Sequence, residues 1–195
     1  LRPDRNKQEY DDLFKSIADS TERLSTLVND LLSFINEQSV DLSEKVDLRS
    51  LTEEIILEFE EQAAKTQVKI TCSGAGTVYG NDNLLQRALY NLISNAIRYN
   101  VDGGSVVITI TDKEFIVSDT GIGIPDEAKP GIFNSFFCVD KSRSRELGGS
   151  GLGLSIAKNI IEKHGGYIYV MDNRPRGSVF VVGFDKDNLH EIQTY

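Results

Sequence analysis

The chain has 195 residues with 21 Lys and Arg against 30 Asp and Glu, a formal net charge of −9, and 39% hydrophobic and 26% charged residues. This is ordinary globular composition, and it lacks the basic face that a nucleic-acid backbone or an anionic membrane surface requires. The acidic excess is local, since residues 1–61 hold 7 basic and 16 acidic side chains and residues 62–195 hold 14 of each. No apolar run approaches the ~18 residues of a membrane span, and no signal peptide opens the chain. No membrane contact and a cytoplasmic location are therefore expected, with the chain read as the cytoplasmic part of a longer protein that is membrane-anchored or not. Cys72 and Cys138 have no metal-ligand spacing, which fits a reducing compartment. A start at Leu1 reads as a fragment of something longer.

From Lys7 to Gln38 there is neither Gly nor Pro, and Leu13, Ile17, Leu24, Val28, Leu31 and Ile35 recur at steps of three, four and seven. That predicts a long amphipathic helix with a bundle seam. A polar break is expected over Ser39–Val46 and a domain boundary between residues 41 and 42, so that residues 1–41 and 42–195 form separate units. Asp47 suits the N-cap of a second helix whose core face is Leu48, Leu51, Ile55 and Phe59. Strands are predicted at Val68–Cys72 and Thr77–Tyr79, then a helix at Asn83–Tyr99. A hairpin over Val106–Thr111 and Glu114–Ser118 turns at Asp112-Lys113. Residues 119–153 hold seven of the sixteen glycines and form a long connection of the kind that carries function. A helix from Gly153 to His164 and strands at Tyr167–Met171 and Ser178–Phe184 complete an α+β pattern.

Four segments carry chemistry. On the helix Asn83–Tyr99 the side chains of Leu85, Ala88, Leu89, Leu92, Ile93 and Ala96 share one face, and Asn91, Asn95 and Arg98 lie on another. Asn disfavours helix interiors, so two of them one turn apart beside a cation need a reason; an amide oxygen suits Mg²⁺ and a guanidinium suits a phosphate. Asp119-Thr120-Gly121-Ile122-Gly123-Ile124-Pro125 places a carboxylate at a strand end, able to accept from an exocyclic amine such as that of adenine, although turns alone also produce such strings. Gly148-Gly149-Ser150-Gly151-Leu152-Gly153-Leu154 precedes a helix, an arrangement that favours an anion, and is neither a P-loop nor a Rossmann fingerprint. Lys141, Arg143 and Arg145 stand just before it.

In this order the motifs resemble those of the sensor histidine kinases, members of the GHKL ATP-binding superfamily. Residues 83–100 are similar to the N box, 119–125 to the first glycine box, Phe133–Phe137 to the F box, and the run from Gly148 to the second glycine box. Glu22–Ser39 resembles the second helix of the dimerisation and phosphoacceptor hairpin. The resemblance implies a two-layer α/β sandwich of mixed, mostly antiparallel sheet with about three helices, behind a long N-terminal helix. It implies ATP and Mg²⁺ as ligands, with Asn95 on the metal and Asp119 on the adenine amine. Asn91, Arg98 and Tyr99 would line the nucleotide, with Ile124, Lys141, Ser150, Leu152 and Leu154 around it. Gly121, Gly123, Gly149, Gly151 and Gly153 would let the lid close, and Ser178 would lie beside the base.

Reaction type turns on position 91. In the ATPase relatives the first N-box residue is typically a glutamate that activates water, whereas an amide is no base at neutral pH. Asn91 thus implies transfer to a nucleophile, with Asn91, Arg98, Arg143 and Arg145 serving the transferring phosphoryl group. Neither His164 nor His190 sits in the family's phosphoacceptor pattern; His164, at a helix C-terminus, reads as structural. The family's implied partners are its own hairpin in cis or trans, a response regulator receiver domain and a second copy of the full-length chain. Cys138 stands where the family usually has Arg. That departure keeps open a nucleotide-binding regulatory module, either a pseudokinase or a phosphatase-biased sensor, with a GHKL ATPase as the remaining reading.

Overall fold

The computed structural model describes residues 41–139 and 150–184, together with Tyr10, Leu13, Phe14 and Thr21. The chain divides into two units, Leu1–Ser39 and Val40–Tyr195. Of the first unit only those four residues are described; Tyr10, Leu13, Phe14 and Thr21 are helical, and the rest of the predicted Lys7–Gln38 helix lies outside the described residues.

The second unit begins with a strand where a polar break was expected. β1 (Glu44–Asp47) pairs antiparallel with β3 (Thr77–Gly80), Val46 opposite Val78. Its charged composition hides it, because Val46 is the single buried residue of the four. Asp47 ends the strand and caps helix α1 (Leu48–Lys65), accepting from the backbone N–H of Arg49 and Ser50. Leu48, Leu51, Ile55 and Phe59 form its buried face as the spacing predicts, and the Phe59 ring meets Tyr90 with centroids 4.9 Å apart.

Beyond α1 the main sheet has the order β2-β4-β5-β7-β6, from β2 (Lys69–Gly74), β4 (Ser105–Ile110), β5 (Glu114–Asp119), β7 (Ser178–Gly183) and β6 (Tyr167–Asp172). Only β2 and β4 are parallel, which demands a crossover between them; helix α2 (Asp82–Arg98) lies in it. Alternation buries Val106, Ile108, Ile110, Phe115, Val117, Phe180 and Val182 on one face of the sheet. Helices α1, α2 and α3 (Gly153–Lys163) complete the second layer. This is the expected mixed, mostly antiparallel sheet with three helices.

Helix α2 supplies the centre of the core, with Leu85, Leu89, Leu92 and Ile93 fully buried. Asn81 caps it, its Oδ1 accepting from Leu84 N at 3.1 Å. The backbone N–H of Asn81 donates in turn to Nε2 of His164 at 3.0 Å, and His164 Nδ1 bonds the Ile160 carbonyl at 2.7 Å. The expected structural role of His164 thus takes a definite form, a ring that joins the end of α3 to the start of α2. His164→Ala is expected to lower unfolding free energy by about 1–3 kcal/mol, read as a lower urea midpoint at an unchanged slope. A midpoint equal to that of the parent would contradict this role.

Candidate functional site

β5 delivers Asp119 to the end of the sheet, where its side chain is only 6% exposed. Its Oδ1 accepts from Gly121 N at 2.8 Å and from Ser178 N at 3.2 Å. Burial pushes the carboxyl pKa up, and the two N–H donors offset part of that rise. The backbone must pass very close here. A Cβ on Gly121 would lie 2.4 Å from the Tyr99 carbonyl oxygen, and one on Gly177 1.9 Å from the Asp119 carbonyl oxygen. Gly177 also has φ +108° and Gly123, facing it, φ +74°, a region that L side chains rarely adopt. Tyr99, the C-cap of α2, accepts from Ile122 N at 3.1 Å, so the end of α2 and the D-x-G-x-G segment share one backbone frame.

A side-chain clip fastens the same corner. Thr120 Oγ1 donates to Asn100 Oδ1 at 3.2 Å and accepts from Ser105 N at 2.8 Å, while Asn100 Nδ2 donates to the Ala96 and Ser105 carbonyls, each at 3.0 Å. From the opposite side the turn between β6 and β7 reaches in. Asn173 Nδ2 donates to the Asp119 carbonyl at 2.8 Å and Arg176 Nε to the Gly121 carbonyl at 2.8 Å. Sequence reading missed Thr120, Asn173 and Arg176. The only local signal for Asn173 and Arg176 is the turn-forming string Asn173–Gly177, Thr120 stands inside the D-x-G-x-G segment without a role read for it, and the partners of all three lie 15 to 55 residues away.

The second glycine segment comes to α2 from the other end of the site. A Cβ on Gly153 would sit 2.8 Å from Asn91 Oδ1, so the absence of a side chain lets α3 start against the N-box helix; Asn91 Nδ2 is held by the Arg87 carbonyl at 3.0 Å. Leu152 occupies the N-cap of α3 and offers no side-chain acceptor, which leaves the first-turn N–H groups without a side-chain cap. Such a helix start favours an anion. Ser150 Oγ accepts from Leu152 N at 3.2 Å. Gly151, at φ +71°, accepts from Phe136 N at 2.8 Å, and Phe133 packs edge-on to Phe180 at 6.5 Å.

Two clusters therefore form from the predicted residues. Asp119, Gly121, Gly123, Tyr99 and Ser178 close one end; at the other Gly153 meets Asn91, with Gly151 and Leu152 just before it in the chain. Asn95, Arg98, Ile124 and Leu154 are half-buried, with Asn95 and Arg98 on the same helix as Asn91. Lys141, Arg143, Arg145 and Gly149 lie outside the described residues.

The donor chemistry fits a nucleotide with a lightly held metal. The buried carboxylate suits an amine donor, and the glycines let the chain's own segments close tightly around it. Among the described residues no group of three His, Cys, Asp or Glu side chains could hold a metal. A divalent ion there would rest on amide oxygen and substrate phosphates, the manner of Mg²⁺. Among the described residues no helix is long and apolar enough to cross a membrane.

The family described as histidine kinase-, DNA gyrase B-, and HSP90-like ATPase matches residues 80–188. Sensor histidine kinase RppB of Synechocystis sp. is 38% identical over 170 residues, 82% of this chain and 37% of its own length. Acinetobacter baumannii histidine kinase AdeS superposes with a TM-score of 0.71 at 28% identity, covering 96% of this chain and 88% of that one. Histidine kinase ThkA, in a crystal structure with response regulator protein TrrA, superposes with a TM-score of 0.70 at 26% identity, covering 94% of this chain and 54% of that one. The chain spans less than half the length of the first curated relatives it matches.

Proposed function

Because the chain belongs to the histidine kinase-, DNA gyrase B- and HSP90-like ATPase family, among its sensor histidine kinases, we propose that it is the ATP-binding catalytic part of such a kinase. In this reading it transfers the γ-phosphoryl group of ATP to a histidine outside this sequence. From there the group passes to an aspartate of a response regulator. Residues 1–41 would be the second helix of the hairpin that carries the histidine and makes the full-length protein a dimer.

The observation that carries the transfer reading is Asn91. It stands half-buried against Gly153 with its amide N–H engaged by the Arg87 carbonyl, and an amide takes no proton from water at neutral pH. The site is thus built to position and to neutralise rather than to activate water. Asp119 would accept from the adenine 6-amino group, with Gly121 and Gly123 giving the ring a flat backbone edge and Ser178 N holding the carboxylate in place. Arg98 and the open first turn of α3 would hold phosphate oxygens, joined by Lys141, Arg143 and Arg145. Mg²⁺, when bound through Asn95, would supply charge neutralisation at the phosphates. In the transfer a neutral imidazole nitrogen forms the P–N bond. The P–O bond to the β-phosphate breaks with its electron pair leaving on ADP, and the other ring nitrogen gives its proton to a neighbouring base. Among the described residues the sole histidine is His164, whose ring nitrogens are both occupied, so it is no acceptor.

The test supplies the missing hairpin, either separately or by extending the chain upstream, and follows γ-phosphate label. Labelled histidine is expected; nucleotide binding with no transfer would overturn the kinase reading and leave a regulatory module. For the metal, Asn95→Ala is expected to weaken Mg·ATP at least about tenfold and to leave affinity measured in EDTA near that of the parent. Equal loss in both conditions would remove Asn95 from the metal.

A further inference from the structure

A glycine segment presents a fixed hydrogen-bonding edge only when its peptide planes are held, because glycine itself resists little rotation. In Asp119–Gly123 the backbone is held by Thr120 N on the Ser105 carbonyl and Ile122 N on the Tyr99 carbonyl, each at 3.1 Å, and by three further contacts. Gly121 N donates to Asp119 Oδ1, and the Gly121 carbonyl accepts from Arg176 Nε at 2.8 Å. The Asp119 carbonyl accepts from Asn173 Nδ2 at 2.8 Å. Both donors sit on one turn, closed by Asn173 N to the Gly177 carbonyl at 3.0 Å, whose last residue packs on the Asp119 backbone. Arg176 is itself exposed, so its place is not explained by packing, and it spends a charged donor on a neutral carbonyl beside the buried acid.

We infer that Arg176, supported by Asn173, is a positioning residue for purine selectivity: it fixes the Gly121 peptide and through it the aim of the Asp119 carboxylate at a 6-amino purine. This rests on the ATP reading of the site and adds to it the group that makes the reading selective. The effect should fall on discrimination by the amine alone. Without Arg176 the Gly121 carbonyl is returned to solvent and the Gly121–Ile122 peptide keeps a single tether, Ile122 N to the Tyr99 carbonyl; Gly121 gains freedom, its N–H is held less firmly on Oδ1, and the carboxylate, still bonded to Ser178 N, is aimed less sharply at the base. The residues proposed for the phosphates lie outside this turn.

The experiment is isothermal titration of the 195-residue chain with ATP and with purine riboside triphosphate, which lacks the 6-amino group, both with Mg²⁺. The parent is expected to prefer ATP. Arg176→Ala is expected to lower ATP affinity about three- to tenfold with the analogue little changed, so the preference collapses, and Arg176→Lys is expected to recover part of it. Equal losses for both nucleotides, or an unchanged preference in Arg176→Ala, would overturn the inference. A parent with no preference for ATP would instead overturn the Asp119 reading, and the inference with it.

Discussion

Asp119→Asn is expected to weaken ATP binding by about two orders of magnitude while leaving the fold as stable as the parent or more so. The amide keeps an oxygen for the Gly121 and Ser178 N–H groups, but it places an NH₂ where the carboxylate would face the adenine amine. A charge-assisted bond is lost and two donors are left opposed, together worth about 3 kcal/mol. The stability arm follows from the raised pKa of the buried acid, for which burial is the leading cause. The folded state keeps its proton at pH values where the unfolded chain has released it, so stability from this group is full below the ordinary carboxylate range. It declines as pH rises through the elevated folded value, and the cost persists at neutrality. Asn carries no such cost. Thermal midpoints from about pH 4 to neutrality should fall less steeply for the variant, with its midpoint at neutral pH equal to or above that of the parent. Parent-like ATP affinity, or a lower midpoint at neutral pH, would refute the assignment.

Gly177→Ala is expected to be the most damaging small substitution in the site. Its Cβ would stand 1.9 Å from the Asp119 oxygen, 2.7 Å from the Asp119 carbonyl carbon and 2.9 Å from Thr120 Cα, all of them backbone positions. Relief requires opening the end of the β5–β7 pair, which moves Ser178 N off the carboxylate. With the strain of φ +108° added, a loss of about 3 kcal/mol or more is expected, along with ATP binding. Gly103→Ala is the comparison, since Gly103 also has positive φ, +73°, yet its Cβ would meet nothing within 4 Å; about 1 kcal/mol is expected there. Urea unfolding of the two variants separates crowding from conformational preference, and equal losses would contradict the close approach.

Much of this arrangement is legible in local chemistry. The spacing of Leu85, Leu89, Leu92 and Ile93 defines α2 and leaves Asn91, Asn95 and Arg98 for other work. Asp47 has the side chain that a helix start needs, and the hairpin over β4 and β5 turns at Asp112-Lys113, where Thr111 N meets the Glu114 carbonyl. β1 escapes notice because a strand that buries one residue among charged neighbours has no period to detect. The β2–β4 pairing escapes for a different reason: each strand reads correctly alone, but parallel partners are chosen by where the intervening helix can pack.

The sequence by itself determined most of the helices and strands of the second unit, β1 excepted, which chemistry-bearing residues exist and the order in which they come. Those properties depend on neighbours within a few residues. Only the tertiary structure decided that Ser178 N, 59 residues on, steadies Asp119, that Gly153 leaves room for Asn91, and that Asn173 and Arg176 grip the first glycine segment. A hydrogen bond between distant residues carries no local pattern. It forms once sheet order brings β7 beside β5, and that order is settled by burying the whole core at once.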